Sequence, residues 1–179
     1  TDIFEGGHRV PFIVHWSNVI KKGKVSEQLV CSTDFFRTVV ELNKAQLSDN
    51  VAEDSYSFLS QLTDKKSNFE QRASIIHHSS NGFFAIRKGQ WKLIMCSHSG
   101  GNGKPKEESE EAKSLPPIQL YDLKNDIAET KNVYAEHPEI VKELTALLTK
   151  HVQDGRSTKG KIQTNDGPAY WSQLNWLGK

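Results

Sequence analysis

Glu5-Gly6-Gly7-His8-Arg9-Val10-Pro11 runs directly into Phe12-Ile13-Val14-His15-Trp16, and few junctions constrain a chain more. Two adjacent glycines permit positive φ and close backbone approach. Pro11 fixes φ at the entrance, and the apolar run behind it reads as a buried strand over residues 12–16. Such a turn either holds something against the end of a sheet or simply opens a strand.

Residues 34–42 repeat Phe, Val and Leu at helical spacing after Thr33 or Asp34 as N-cap. They predict an amphipathic helix that buries its apolar face and ends near Asn43. A shorter helix is expected over 55–62, and the polar stretch 64–71 reads as a surface loop. The pattern then turns to β. Strands are expected over 73–77, 82–87, 91–96 and 118–122, with Lys88-Gly89-Gln90 as a hairpin turn. Residues 97–117 form a long Gly/Ser/Lys/Glu-rich loop of the kind that is either functional or disordered. Pro138 suits the first position of a last helix carrying Ile140, Val141, Leu144, Leu147, Leu148 and Val152, stopped by Asp154-Gly155. In the turn-rich tail after 155, Tyr170, Trp171 and Trp176 are expected to dock on a larger body, the alternative being a strap packed on its own domain.

With 179 residues, 36% hydrophobic and 25% charged, the chain has enough material for a real core. Its net charge of +1 gives no long-range pull on nucleic acid or anionic membrane. No apolar run is long enough to span a bilayer. Cys31 and Cys96 lack a Cys-x-x-Cys or His-rich neighbourhood, so a zinc or redox pair is not expected. Buried free thiols are the simpler reading, and one long-range disulfide stays open.

The glycine junction resembles the Glu-Gly-Gly-x-Arg-x-Pro segment of the type I sulfatases, arylsulfatase-like members of the alkaline-phosphatase-like superfamily. Four further blocks follow in family order: Thr33-Asp34 with its apolar helix, Glu53-Asp54-Ser55-Tyr56-Ser57-Phe58-Leu59, Gly82 to Ile94 around Lys88-Gly89-Gln90-Trp91-Lys92, and Gln119-Leu120-Tyr121-Asp122-Leu123 ending in Glu129 and Asn132. Ser17, Arg37 and Ile127 stand where proline is usual, and Asn43 where glycine is usual. The resemblance implies an α/β fold, α+β for this span. It would comprise the last segment of the large α/β domain (1–72), a subdomain with a four-stranded antiparallel sheet and a packed helix (73–155), and a tail strap (156–179).

The same resemblance implies a parent that hydrolyses sulfate esters with calcium and a formylglycine nucleophile, in the periplasm or outside the cell. The Cys/Ser-x-Pro/Ala-x-Arg motif that yields formylglycine is absent here, and so is a clustered oxygen-ligand set for a metal. Asn165-Asp166-Gly167-Pro168 is a turn, not the family's metal motif. No catalytic residue and no metal ligand is therefore assigned to this span, which is expected to be inactive alone and to need the catalytic domain that precedes it in the family. Apolar surface left at 12–16 could then drive self-association. Sulfate esters are anionic, so Arg9, His77, His78 and His98 are the substrate-binding candidates. For Arg9 an ion pair with Glu5 or Asp34 is an equal alternative; for the histidines, an ordinary hydrogen-bonding role. Other readings are a non-catalytic module binding sulfated ligands, or a piece of a phosphodiesterase or phosphonate hydrolase on the same scaffold.

Overall fold

The β-patterned middle of the chain folds as a meander. In the computed structural model β1 (Ser74–His78), β2 (Phe84–Lys88), β3 (Trp91–Ile94) and β4 (Gln119–Asp122) form one four-stranded antiparallel sheet in sequence order. Residues 1–21, 23–63, 70–164, 166–168 and 171–178 are described. The predicted loop at 64–71 and Tyr170 fall wholly or largely outside them. Gly89 takes positive φ in the two-residue turn that sets Lys88 opposite Trp91. That register puts Ala85, Arg87, Lys92, Ile94, Gln119 and Tyr121 on one face.

Contacts divide the chain into two units. One comprises Thr1–Pro11, Ile76–Thr149 and Asp166–Lys179. Its core gathers Ala85, Ile94 and Tyr121 from the sheet with Ile3, Phe83, Cys96 and Leu123, and Phe4 packs against them. The N-terminal residues thus complete this core. The four residues Glu5–His8 form a single helical turn, α1, so the junction is helical where a strand-opening turn with positive φ was expected. Gly7 is still required, because a Cβ there would stand 2.5 Å from the Asp2 carbonyl oxygen, whereas one at Gly6 would meet open space.

The predicted loop 97–117 is ordered. Ile3 donates to the Ser99 carbonyl at 2.8 Å, Asp2 Oδ1 accepts from Gly103 at 2.9 Å, and Ser109 caps a short helix, α4 (Glu110–Ser114), by accepting from Ala112. The last helix, α5 (Pro138–Asp154), buries Leu144 and Leu148 and is tied to the sheet by Lys88–Glu143 at 2.6 Å. Trp171 and Trp176 pack on Phe84 at 5.6 and 5.9 Å between centroids, and Trp176 Nε1 donates to Thr149 Oγ1. These two rings serve their own sheet, the alternative left open, because Phe84 offers apolar area within reach of the tail.

The other unit comprises Phe12–Ile75 and Lys150–Asn165, and here two expectations fail. Residues 12–16 form no strand, and Ile13 is 90% exposed. An isolated apolar run has no sheet edge to pair with and so gains no ladder hydrogen bonds. The second helix has the predicted bounds, α2 (Asp34–Leu42), but the opposite polarity: Asp34 and Thr38 are buried while Phe35, Phe36, Val39 and Leu42 are exposed. Residues 55–58 explain the inversion. Tyr56 N–H donates to Asp34 Oδ1 at 2.9 Å, Phe58 N–H to Thr38 Oγ1 at 3.1 Å, and Ser55 Oγ accepts from Arg37 N–H at 3.0 Å. With their backbone groups spent on α2, residues 55–58 stay extended, and the predicted helix at 55–62 shrinks to α3 (Leu59–Thr63).

Behind Asp34 lies a buried ion pair. Arg72 gives Nε to Asp34 Oδ2 at 3.0 Å and Nη2 to Oδ1 at 2.5 Å, and its guanidinium stacks over Tyr56 at 4.5 Å. Arg156 organises the loop 156–163, donating to the carbonyls of Asp49, Thr158, Lys159 and Lys161. Both cysteines are free thiols; Cys31 is half-buried and Cys96 buried.

Candidate functional site

The glycine turn is anchored by charge from below. Lys92 lies in β3 with no exposed surface, its Nζ 3.2 Å from Glu5 Oε1 and 2.8 Å from Glu129 Oε1. Arg87, its cross-strand neighbour, reaches Glu5 Oε2 at 3.1 Å. Glu129 closes the ring by accepting the Glu5 N–H at 2.5 Å. It does so from φ 55°, a left-handed conformation that costs a non-glycine residue on the order of 1–2 kcal/mol. A buried ammonium facing two carboxylates, with a further guanidinium on one of them, nearly balances its charges, which is what makes its desolvation tolerable.

Next to this ring two imidazoles meet. His8, at the end of α1, lies 4.0 Å centroid to centroid from His77 of β1, and His77 Nε2 is 3.2 Å from the Ile3 carbonyl oxygen. Burial, then the Lys92 ammonium, push His77 down to about 3, with His8 adding to the effect. The same two causes, burial first, lower His8. Both rings are therefore neutral at neutral pH. His8 was not singled out in the sequence, since a histidine after a glycine pair carries no signal of its own there.

Of the predicted residues, the structure brings Arg9 and His77 to this region. Arg9 caps α1, is exposed, and its guanidinium pairs with no described residue; Glu5 is held by Lys92 and Arg87, and Asp34 by Arg72. The structural ion pair considered for it is not formed. His78 is exposed at the end of β1, its Nδ1 3.0 Å from the Ser79 carbonyl oxygen. His98 is buried edge-on against Phe83 at 4.5 Å, and its Nδ1 accepts the Gly100 N–H at 3.0 Å. Burial lowers its pKa and pushes the Cys96 thiol up to about 12.

The neutral buried histidines make stability pH-dependent. His77 stays neutral in the native state down to about 3 but takes up a proton in the unfolded chain below 6.5. The unfolded state thus binds more protons in that window, and native stability falls with acid by up to ~1.4 kcal/mol per pH unit for a fully buried neutral histidine. His8, His98 and His151 are shifted the same way and add to the slope. The urea midpoint is expected to drop steadily between pH 7 and pH 5; a flat midpoint would contradict a buried neutral His77.

Among the described residues, no group of three His, Cys, Asp or Glu side chains is placed to hold a metal ion. No helix is long and apolar enough to cross a membrane.

Residues 2–157 match the family described as N-sulphoglucosamine sulphohydrolase, C-terminal. An N-acetylgalactosamine-6-O-sulfatase of Bacteroides thetaiotaomicron is 37% identical over 149 residues, covering 81% of this chain and 27% of that protein. A sulfatase of Formosa agariphila is 32% identical over 138 residues, covering 75% of this chain and 24% of its own length. A solved structure from work on glycosaminoglycan metabolism in Bacteroides thetaiotaomicron superposes with a TM-score of 0.51 at 35% identity, over 65% of this chain and 24% of that one. The chain thus spans about a quarter of the length of these curated relatives. With all but 23 of its 179 residues inside the family match, and the glycine turn, sheet and last helix all within it, the chain belongs to the sulfatases, in the family defined by the C-terminal region of N-sulphoglucosamine sulphohydrolase.

Proposed function

We propose that this chain is the C-terminal portion of an enzyme that hydrolyses sulfate esters on a sulfated sugar, releasing alcohol and sulfate. The observation that carries the reading is the 37% identity to a relative named for N-acetylgalactosamine 6-O-sulfate, combined with the exposed cationic Arg9 on the glycine turn. In this reading residues 1–72 close the large catalytic domain, 73–155 form the sheet subdomain and 156–179 strap it. The nucleophile, as formylglycine, and calcium belong to the region upstream, and the enzyme works in the periplasm or outside the cell. Arg9 faces the anionic substrate, and His78 stands at the strand end as a second contact. His77 supports the turn, while His98 shapes the loop beside it. The exposed row Val10, Phe12, Ile13 and Val14 is covered by the upstream domain and drives self-association without it.

The test compares the 179-residue chain with a protein extended upstream to include the Cys/Ser-x-Pro/Ala-x-Arg motif. Sulfate release from N-acetylgalactosamine 6-O-sulfate and from 4-nitrophenyl sulfate is expected from the long protein only. Turnover by the short chain, or a folded long protein that cleaves phosphodiesters and spares both sulfates, would overturn the reading.

A further inference from the structure

The glycine turn carries two unspent polar groups on consecutive residues. His8 Nε2 is buried and has no hydrogen-bond partner among the described residues, and the guanidinium of the following residue, Arg9, pairs with none of them. Their neighbours are all engaged: Glu5 with Lys92 and Arg87, His77 with the Ile3 carbonyl. Unpartnered buried polar atoms are uncommon in native structures and call for an explanation.

The chemistry of the orphan atom is set by its surroundings. The Asp2 backbone carbonyl acts on the His8 ring as an acceptor; with Nε2 unpartnered, that contact falls to Nδ1, which then carries the proton. The ring is kept neutral, so Nε2 offers a lone pair and nothing else. His77 packs on the ring, 4.0 Å centroid to centroid, which limits the rotamer freedom lost when the lone pair is used. A neutral acceptor and an unpaired guanidinium on consecutive residues match a ligand that carries both a hydrogen-bond donor and an anion.

We propose that His8 is a specificity-determining residue whose Nε2 accepts a hydrogen bond from a ring hydroxyl or amide N–H of the sugar, while Arg9 meets an anionic oxygen of the same ligand. This rests on the sulfatase reading. It gives His8 a role in choosing sulfated sugars over other sulfate esters, because a donor on the ligand fills the vacancy at Nε2 and a plain aryl group leaves it unfilled.

The experiment uses the upstream-extended enzyme and its His8→Ala and His8→Gln variants, with kcat and KM measured on N-acetylgalactosamine 6-O-sulfate and on 4-nitrophenyl sulfate, which has neither hydroxyl nor amide. His8→Ala is expected to lower the ratio of sugar to aryl kcat/KM by roughly ten- to a hundredfold. His8→Gln, with an amide oxygen able to accept, is expected to recover a substantial part. A ratio unchanged within about twofold overturns the proposal, as does a parallel fall on both substrates with a lowered Tm, which would make His8 a packing partner of the upstream domain. If folded wild-type enzyme cleaves neither substrate, the sulfatase reading fails; calorimetric binding of the sugar sulfate to wild type and His8→Ala then judges His8 separately. Equal affinity, or no binding, overturns its role.

Discussion

Lys92→Met is expected to destabilise the chain by about 3–5 kcal/mol, since removing one partner of a buried ionic cluster strands the others. The distribution of the damage is itself informative. Glu5 would keep Arg87 at 3.1 Å, but Glu129 would keep only the neutral Glu5 N–H. The double change Lys92→Met with Glu129→Gln is therefore expected to recover more stability than Lys92→Met with Glu5→Gln. Urea unfolding of the three variants decides it. A single-variant cost below about 1 kcal/mol would mean that the carboxylates reach solvent and that the ring is no anchor.

Asp34→Asn is expected to cost a similar ~3–5 kcal/mol, and more than Arg72→Met. Asp34 is 1% exposed and holds four donors: Arg72 through two nitrogens, and the Cys31 and Tyr56 N–H groups. Without Arg72 the carboxylate retains both backbone donors. Without the carboxylate, the buried guanidinium faces an amide whose C=O can accept on one side only, while its NH2 opposes the donors on the other. Thermal unfolding of the two variants checks the order, and the reverse order would place the main cost on the cation.

Local pattern was enough for the bounds of α2 and for the hairpin between β2 and β3. The aromatic and β-branched spacing after Asp34 gave α2 its limits, and Lys88-Gly89-Gln90 announced the hairpin. What failed was decided at a distance. Periodicity marks an apolar face on α2 but cannot tell that the backbone of 55–58 would claim the polar face instead. In Trp91-Lys92-Leu93-Ile94 a lysine reads as outward-facing, yet it is buried because its carboxylates arrive from Glu5, 87 residues away in sequence, and from Glu129. The four-stranded sheet and the family were legible because their residues sit in contiguous blocks. The His8 vacancy was not, because an unpaired atom is visible only once every neighbour has been placed.

The sequence span of the ion ring has a consequence for synthesis. Glu5 and Glu129 lie 124 positions apart, so at a ribosome speed of ~5–20 residues per second the first partner waits on the order of 6–25 s for the last. Throughout that interval the Glu5 and Lys92 charges lack the Glu129 carboxylate that completes the ring. The unit is thus committed to late, long-range closure, with the slow folding that high contact order brings. A nascent chain of this design carries Ile3, which has no exposed surface in the native state, uncovered until the sheet residues that pack on it have been made.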